Sequence, residues 1–435
     1  MRWYLGAAFI LLVALVFQLG LLAYAMYVLL GLMLVSRYLS RYWIEHLEAE
    51  RECNRLTAEI GDKLAVLVNV KNTGRFPVAW VLIEDSLPRQ AIVQRPPRLK
   101  VHGKRMMIAM LRPGAQKSLR YQLEFQMRGY YQLGPVVLET GDLFGLHRRY
   151  RVGTAPHFVL VHPRLVPLVG YDLASRRPVG EIRLTHRLFE DPTRIAGLRL
   201  YQAGDPLNRV NWRATARTGI LHSKIYEPST IAGASILLAF HQDEYPRPNE
   251  PVRSELAVTT AASVANAVYL LGQQVGLATN GRDAADRIRQ EGWAHDFRTR
   301  AAAKQNVNMR ERSDRLQPVI VPTRRGHEQF QRILETLARV ELTDGLRFDQ
   351  LVLETVSRLP RDATVVAVLP TVSEPTAFAL GSLRRRGYAV TAVLIAFSDD
   401  EYVDGSGRLL AEGVETRRVA DEASLSALCG QHLLR

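Results

Sequence analysis

Cysteine is nearly absent: Cys53 and Cys429 are the two thiols in 435 residues, far apart and without metal-ligand spacing. That excludes a disulfide framework and a thiolate zinc site, and it fits free thiols in a reducing compartment. Short-range catalytic signatures are missing too. There is no Gly-x-x-x-x-Gly-Lys-Ser/Thr phosphate loop, so nucleotide hydrolysis by this chain is not expected. Neither Gly-x-Ser-x-Gly nor His-Glu-x-x-His occurs, which removes two common hydrolase patterns. The eleven histidines are scattered rather than clustered. No catalytic residue is assigned, and nothing in the sequence supports an enzyme.

What is present is a folded protein's composition, 47% hydrophobic and 23% charged, in a chain long enough for two or three domains. The net charge of +14 favours an acidic partner: a phospholipid surface, a nucleic acid or an acidic protein. The membrane comes first because residues 5–35 contain Gln18 as their one frankly polar side chain. As a single helix that run would rise about 46 Å, against a hydrocarbon core of roughly 30 Å. Two spans of about 16 residues, turning near Gln18-Leu19-Gly20, fit better than a cleavable signal peptide. Arg2 precedes the first span; Arg37, Arg41, Arg51 and Arg55 follow the second. Positive charge at both outer ends predicts a hairpin with both ends cytoplasmic; the alternative is a single tilted span that violates the charge rule at one end. Trp3, Tyr4, Tyr38, Tyr42 and Trp43 stand where an interfacial aromatic belt belongs.

From Ile60 the texture changes. Leu64, Val66, Val68 and Val70 alternate at period two before the turn Asn72-Thr73-Gly74. Residues 78–85, 105–111, 117–125, 136–139 and 158–161 read as further strands. Short strands at this spacing argue an antiparallel, immunoglobulin-like β-sandwich. From Ala232 the pattern becomes alternating strand and helix. Residues 235–240 form an apolar strand without alternation, as expected of a parallel strand covered on both faces. Strands over 275–279, 364–369 and 389–395, with helices over 255–271, 327–340, 348–359 and 377–386, predict a doubly wound sheet. A last edge strand is expected at Arg418-Val419, and 404–407 reads as a loop.

Between these regions Arg194, Arg199, Arg209, Arg213, Arg217 and Lys224 interleave with Leu198, Tyr201, Val210, Trp212, Ile220 and Leu221. Gly204 before Asp205-Pro206 suits a tight turn. A short basic helix follows, then a strand over 220–226. So many cations beside a Trp are buried only if carboxylates or carbonyls pair them. The segment is therefore either an internal clamp, with Asp205 as ion-pair acceptor, or an anion-facing surface.

Gly197-Leu198-Arg199-x-Tyr201, Gly204-Asp205, Arg209-x-Asn211-Trp212, Ala216-Arg217-x-Gly219-x-Leu221 and Lys224-x-x-Glu227 resemble, in order, the signature of the bacterial domain-of-unknown-function-58 family. Arg128-Gly129-Tyr130-Tyr131-x-Leu133-Gly134-Pro135 and Asp142-Leu143-Phe144-Gly145-Leu146 resemble it as well, with Leu143 where the family usually has Pro. Arg128 and Asp142 read either as a partner site or as a buried pair tying strand ends together. The resemblance implies a von Willebrand factor type A-like last domain and partnership with a MoxR-type ATPase of the AAA+ class. Type A domains commonly carry Asp-x-Ser-x-Ser after the first strand, as oxygen ligands for Mg²⁺. Here His241 stands about where that Asp belongs and neither Ser is present. Asp243 and Glu244 are the remaining candidate ligands, and no cofactor is expected.

The resulting organisation is a multidomain chain, α/β plus all-β. A transmembrane helical hairpin covers 1–37, a juxtamembrane segment 38–59, the immunoglobulin-like sandwich 60–165, a signature connector 166–230 and the type A-like domain 231–435. The expected role is a multi-pass, inner-membrane adaptor facing the cytoplasm. Its protein partner, or its interdomain clamp, engages Arg199, Tyr201, Gly204, Asp205, Arg209, Trp212, Arg217, Lys224 and Glu227. Anionic lipid headgroups remain a second partner class. The alternative is an envelope-associated enzyme or anionic-ligand binder using the same arginines. Nucleic acid ranks behind both.

Overall fold

The computed structural model describes residues 2–142, 145, 147–168, 195–202, 210–226, 233–285, 316–361 and 363–428. Gly204, Asp205, Arg209 and Glu227, and the polar stretch 286–315, lie outside the described residues. Two helices open the chain, α1 (Arg2–Val16) and α2 (Gly20–Glu45). They reverse at residues 17–19, where Gln18 takes φ 52°, the left-handed region. By length and composition α2 is able to cross a membrane, and α1 contributes a shorter apolar stretch, Leu5–Val16.

The helix does not stop at residue 37 but continues to Glu45. Its far end is a packed element: Ser36, Ser40, Trp43 and Ile44 are buried. The Ser36 hydroxyl donates to Asp142 Oδ2 at 2.5 Å. One guanidinium nitrogen of Arg151 donates to the carbonyls of Ile44, Glu45 and Leu47 at 3.2, 2.8 and 3.3 Å. Carbonyls at a helix end lack intrahelical donors, and this cation supplies one. The juxtamembrane segment over 38–59 is helix as far as Glu45, then β1 (Leu47–Cys53) and β2 (Thr57–Glu59).

Among the described residues the first compact unit runs to Val161. Its further elements are β3 (Lys63–Asn72), β4 (Val78–Asp85), α3 (Arg89–Val93), β5 (Leu99–Gly103), β6 (Met106–Leu111), β7 (Gln116–Phe125), β8 (Gly129–Leu133), β9 (Val136–Gly141), β10 (Arg148–Thr154) and β11 (His157–His162). Two four-stranded antiparallel sheets, ordered β1-β3-β7-β5 and β10-β9-β4-β6, and a three-stranded sheet β2-β11-β8 share one core. The period-two pattern explains the arrangement. Leu64, Val66, Val68 and Val70 of β3 point inward beside Leu119, Tyr121, Leu123 and Phe125 of β7, and all are buried. Each such side chain contributes roughly 1.5–3 kcal/mol of transfer free energy.

One ionic group sits inside that core. Arg51 donates from Nε and Nη2 to both Asp85 oxygens at 3.0 and 2.5 Å, with both side chains fully buried. Tyr121 donates to Asp85 Oδ2 at 2.7 Å, and Arg51 Nη1 reaches Leu133 O at 2.9 Å. Burial first, then the adjoining Asp85, pushes the Tyr121 phenol well above its ordinary value.

The second unit starts at His162. Its elements are β12 (Ile195–Leu200), α4 (Trp212–Thr218), β13 (His222–Tyr226), β14 (Gly233–Leu238), α5 (Val252–Leu270), β15 (Gln274–Thr279), β16 (Arg282–Asp283), β17 (Val319–Arg324), α6 (His327–Arg339), β18 (Val340–Glu341), α7 (Phe348–Thr355), β19 (Thr364–Leu369), α8 (Glu374–Arg385), β20 (Val390–Ile395), α9 (Asp399–Ala411), β21 (Glu415–Val419) and α10 (Glu422–Ser426). Six strands form a sheet ordered β17-β15-β14-β19-β20-β21, parallel except for β17. The unalternated strands β14, β19 and β20 are buried on both faces. On one face Ile236 and Val366 pack with α5 and α6; on the other Leu237 and Val365 pack with α7, α8 and α9.

The expected loop at 404–407 is instead the middle of α9. Ser398 caps that helix by accepting from Glu401 N, three acidic residues open it, and Arg408 pairs with Asp404 at 3.3 Å. A Cβ on Gly405 would lie 3.3 Å from both Leu394 Cδ1 and Val372 Cγ2, so tight packing explains this helical glycine.

Candidate interaction surface and switch-point loop

The described part of the signature segment is a two-stranded ribbon with a short helix against it. β12 and β13 pair antiparallel, with Leu198 opposite Lys224, Arg199 opposite Ser223 and Leu200 opposite His222. Asn211 caps α4 by accepting from Ala214 N at 3.2 Å, and Gly219, at φ 73°, ends it. Thr215 Oγ1 accepts from His222 N at 3.2 Å, which fastens α4 to β13.

Burial separates the residues singled out by sequence. Val210 is buried, while Arg199, Tyr201 and Lys224 are half-buried. Trp212, expected beside paired cations, is 66% exposed, and Arg213 and Arg217 are exposed with it. Leu198, Leu200, Ile220 and Leu221 are exposed too. Residues 195–202 and 210–226 contain Arg199, Arg213, Arg217 and Lys224 but no Asp or Glu. Among the described residues Arg213, Arg217 and Lys224 form no salt bridge. Exposed apolar side chains, in a segment whose described residues carry cations and no carboxylate, suit an anionic partner that also carries apolar groups.

The second candidate site lies where chain direction diverges. From β14 the chain crosses through α5 on one face of the sheet; from β19 it crosses through α8 on the other. The carboxyl ends of such neighbours open a crevice. There His241 is buried and its Nδ1 accepts from Asp243 N at 3.2 Å. The Asp243 side chain is 70% exposed. Glu244 turns the other way, towards the start of α7, and its backbone carbonyl accepts from Thr371 Oγ1 at 3.3 Å. Burial pushes the Glu244 carboxyl up to about 7, and hydrogen bonding to the backbone of His241 and Phe348 offsets part of that rise. Asp349 adds to the shift and Arg347 opposes it. Among the described residues no three His, Cys, Asp or Glu side chains gather as a metal site.

Arg128 and Asp142 are both buried in the first unit. Asp142 accepts from Ser36 Oγ and from His147 N, at 2.5 and 2.7 Å, so it joins a helix to a turn. Sequence reasoning did not find Ser36 or the Arg51–Asp85–Tyr121 group, because neither carries a local pattern.

Residues 197–301 match the model of the family described as "Protein of unknown function DUF58". "Uncharacterized protein YeaD" of Bacillus subtilis (strain 168) is 25% identical over 271 residues, 62% of this chain and 65% of that protein. The chain thus spans just under two thirds of the curated relative's length. Among solved structures, the CARDB domain of the PF1109 protein from Pyrococcus furiosus is matched with TM-score 0.18 and 16% identity, over 26% of this chain and 91% of that one. Trypsin-activated alpha-2-macroglobulin from Escherichia coli is matched with TM-score 0.21 and 12% identity, over 38% and 9%. At these scores the likeness carries no argument.

Proposed function

We propose that this protein is a membrane-anchored scaffold whose signature module binds a protein partner. The exposure of Trp212, in a segment that also exposes Leu198, Leu200, Ile220 and Leu221, carries the reading, because aromatic and arginine side chains dominate binding hot spots. The second unit is read as a von Willebrand factor type A-like domain without its usual metal loop; a central first strand and one antiparallel edge strand support that. The first unit is read as an immunoglobulin-like sandwich. The partner class implied by the family resemblance is a MoxR-type AAA+ ATPase. With α1 and α2 as two spans, the cations at both outer ends turn the soluble units to the cytoplasm.

The test is co-purification from membranes, with and without ATP, using the unaltered chain, Trp212→Ala and Arg217→Ala. Retained folding with loss of the same partner from both variants supports the reading. Loss of folding in Arg217→Ala returns the segment to the clamp, and undiminished partner recovery with both removes the module from binding.

A further inference from the structure

The two edges of the β12–β13 ribbon are not equivalent. On β13, Val210 bridges Ser223 and Asn211 N donates to His222 O at 2.8 Å, so that edge is covered. On β12 the ladder alternates: Tyr201 N donates to Leu221 O at 2.9 Å, which places residues 197, 199 and 201 towards β13. The backbone groups of Leu198 and Leu200 therefore point away from the ribbon. The Leu200 carbonyl receives Arg199 Nη1 at 3.4 Å, whereas the Leu198 and Leu200 amides have no partner among the described residues. No described strand lies along this edge.

An open strand edge is a template for another strand, and folded proteins normally blunt it. Here it is flanked instead by side chains that suit an occupant. Leu198 and Leu200, 44% and 59% exposed, share one face with Lys224 and His222. Arg199 and Tyr201 lie on the other. Resting on the protein-binding reading above, we propose that the β12 edge takes up an extended, acid-bearing segment of the partner as a third strand. The segment's apolar residues lie along Leu198 and Leu200, and its carboxylates meet Arg199 on the opposite face. Outward amides in register, without a partner among the described residues, distinguish this occupant from a lipid surface, which has no repeating carbonyl ladder to offer them.

The experiment uses the full-length protein in neutral phosphatidylcholine nanodiscs. The probes are a synthetic peptide of alternating Glu and Val, its copy N-methylated on alternate amides, and a Lys–Val version. Hydrogen exchange at the Leu198 and Leu200 amides is followed alongside fluorescence anisotropy. The expected result is protection of both amides by the Glu–Val peptide and affinity weaker by about tenfold or more for the other two. Leu200→Pro deletes an outward amide without touching a ladder bond, and it is expected to weaken binding similarly at unchanged thermal stability.

Equal affinity for the N-methylated peptide, or binding without amide protection, overturns strand addition. So does failure of the Glu–Val peptide to bind while Trp212→Ala still abolishes recovery of a native partner, and in that case the protein-binding reading survives. Protection of the same amides by phosphatidylglycerol nanodiscs without peptide assigns the edge to lipid instead.

Discussion

Ser36 and Asp142 lie 106 residues apart and meet at 2.5 Å, hydroxyl to carboxylate. The contact makes the end of an apolar helix part of the β-rich unit's core. A hydrogen bond to a charged group contributes about 1.5–3 kcal/mol, so Ser36→Ala should lower that unit's stability by this amount. Ser40, whose hydroxyl bonds Arg37 O within its own helix, should cost less when changed to Ala. Thermal melts in detergent compare the two, and equal losses would show that the helix end is not held by Asp142.

The Arg51–Asp85 pair makes a sharper prediction. Arg51→Met leaves a carboxylate fully buried without its cation, at a cost of about 3–5 kcal/mol. Gly134→Ala should act through the same group, since its Cβ would stand 2.1 Å from Arg51 Nη2 on a backbone with φ +87°. Urea titrations read both. A neutral Arg51→Met variant would contradict the structural role.

Glu244 makes the second unit's stability depend on pH. Its folded carboxyl titrates at about 7, above the ordinary 4.5, so the protonated form is the one folding favours. The stabilisation is present in full below 4.5 and is lost as pH rises through about 7. Its span is about 3 kcal/mol. Glu244→Gln keeps the shape and removes the titration. Unfolding free energies at pH 5 and pH 8 should therefore differ less in the variant, by up to that amount, and identical pH profiles would remove Glu244 from the account.

Trp212→Ala should separate binding from folding. At 66% exposure the indole contributes little to the core, so stability should change by no more than about 0.5 kcal/mol. Partner recovery should fall by about 2 kcal/mol of binding free energy, some thirtyfold. A large drop in melting temperature would instead place the side chain in a packed contact.

Much of the architecture was legible because burial imprints a local period. The alternation from Leu64 to Val70 and the unbroken apolar run of β14 each reveal how many faces are covered, as does the apolar stretch before Ser36. The strand over 364–369 coincides with β19 residue for residue. Composition misled at 404–407, where two glycines and an aspartate suggest a turn. Packing against Leu394 and Val372 selects a small residue there and keeps the helix. The length of α2 was hidden similarly, since Arg37 and Arg41 look like a boundary until Ser36, Ser40 and Trp43 are seen to face a neighbour.

The linear chain by itself settled the apolar amino-terminal run, the change from period-two strands to alternating strands and helices, and the ordered signature residues. Each depends on neighbours within a few positions. Only the folded arrangement decided that Asp85 neutralises Arg51, that burial raises the Glu244 carboxyl, and that β12 rather than β13 has an edge without a strand partner among the described residues. Those outcomes depend on which distant groups share a low-dielectric interior or a ladder, and long-range packing alone brings them together.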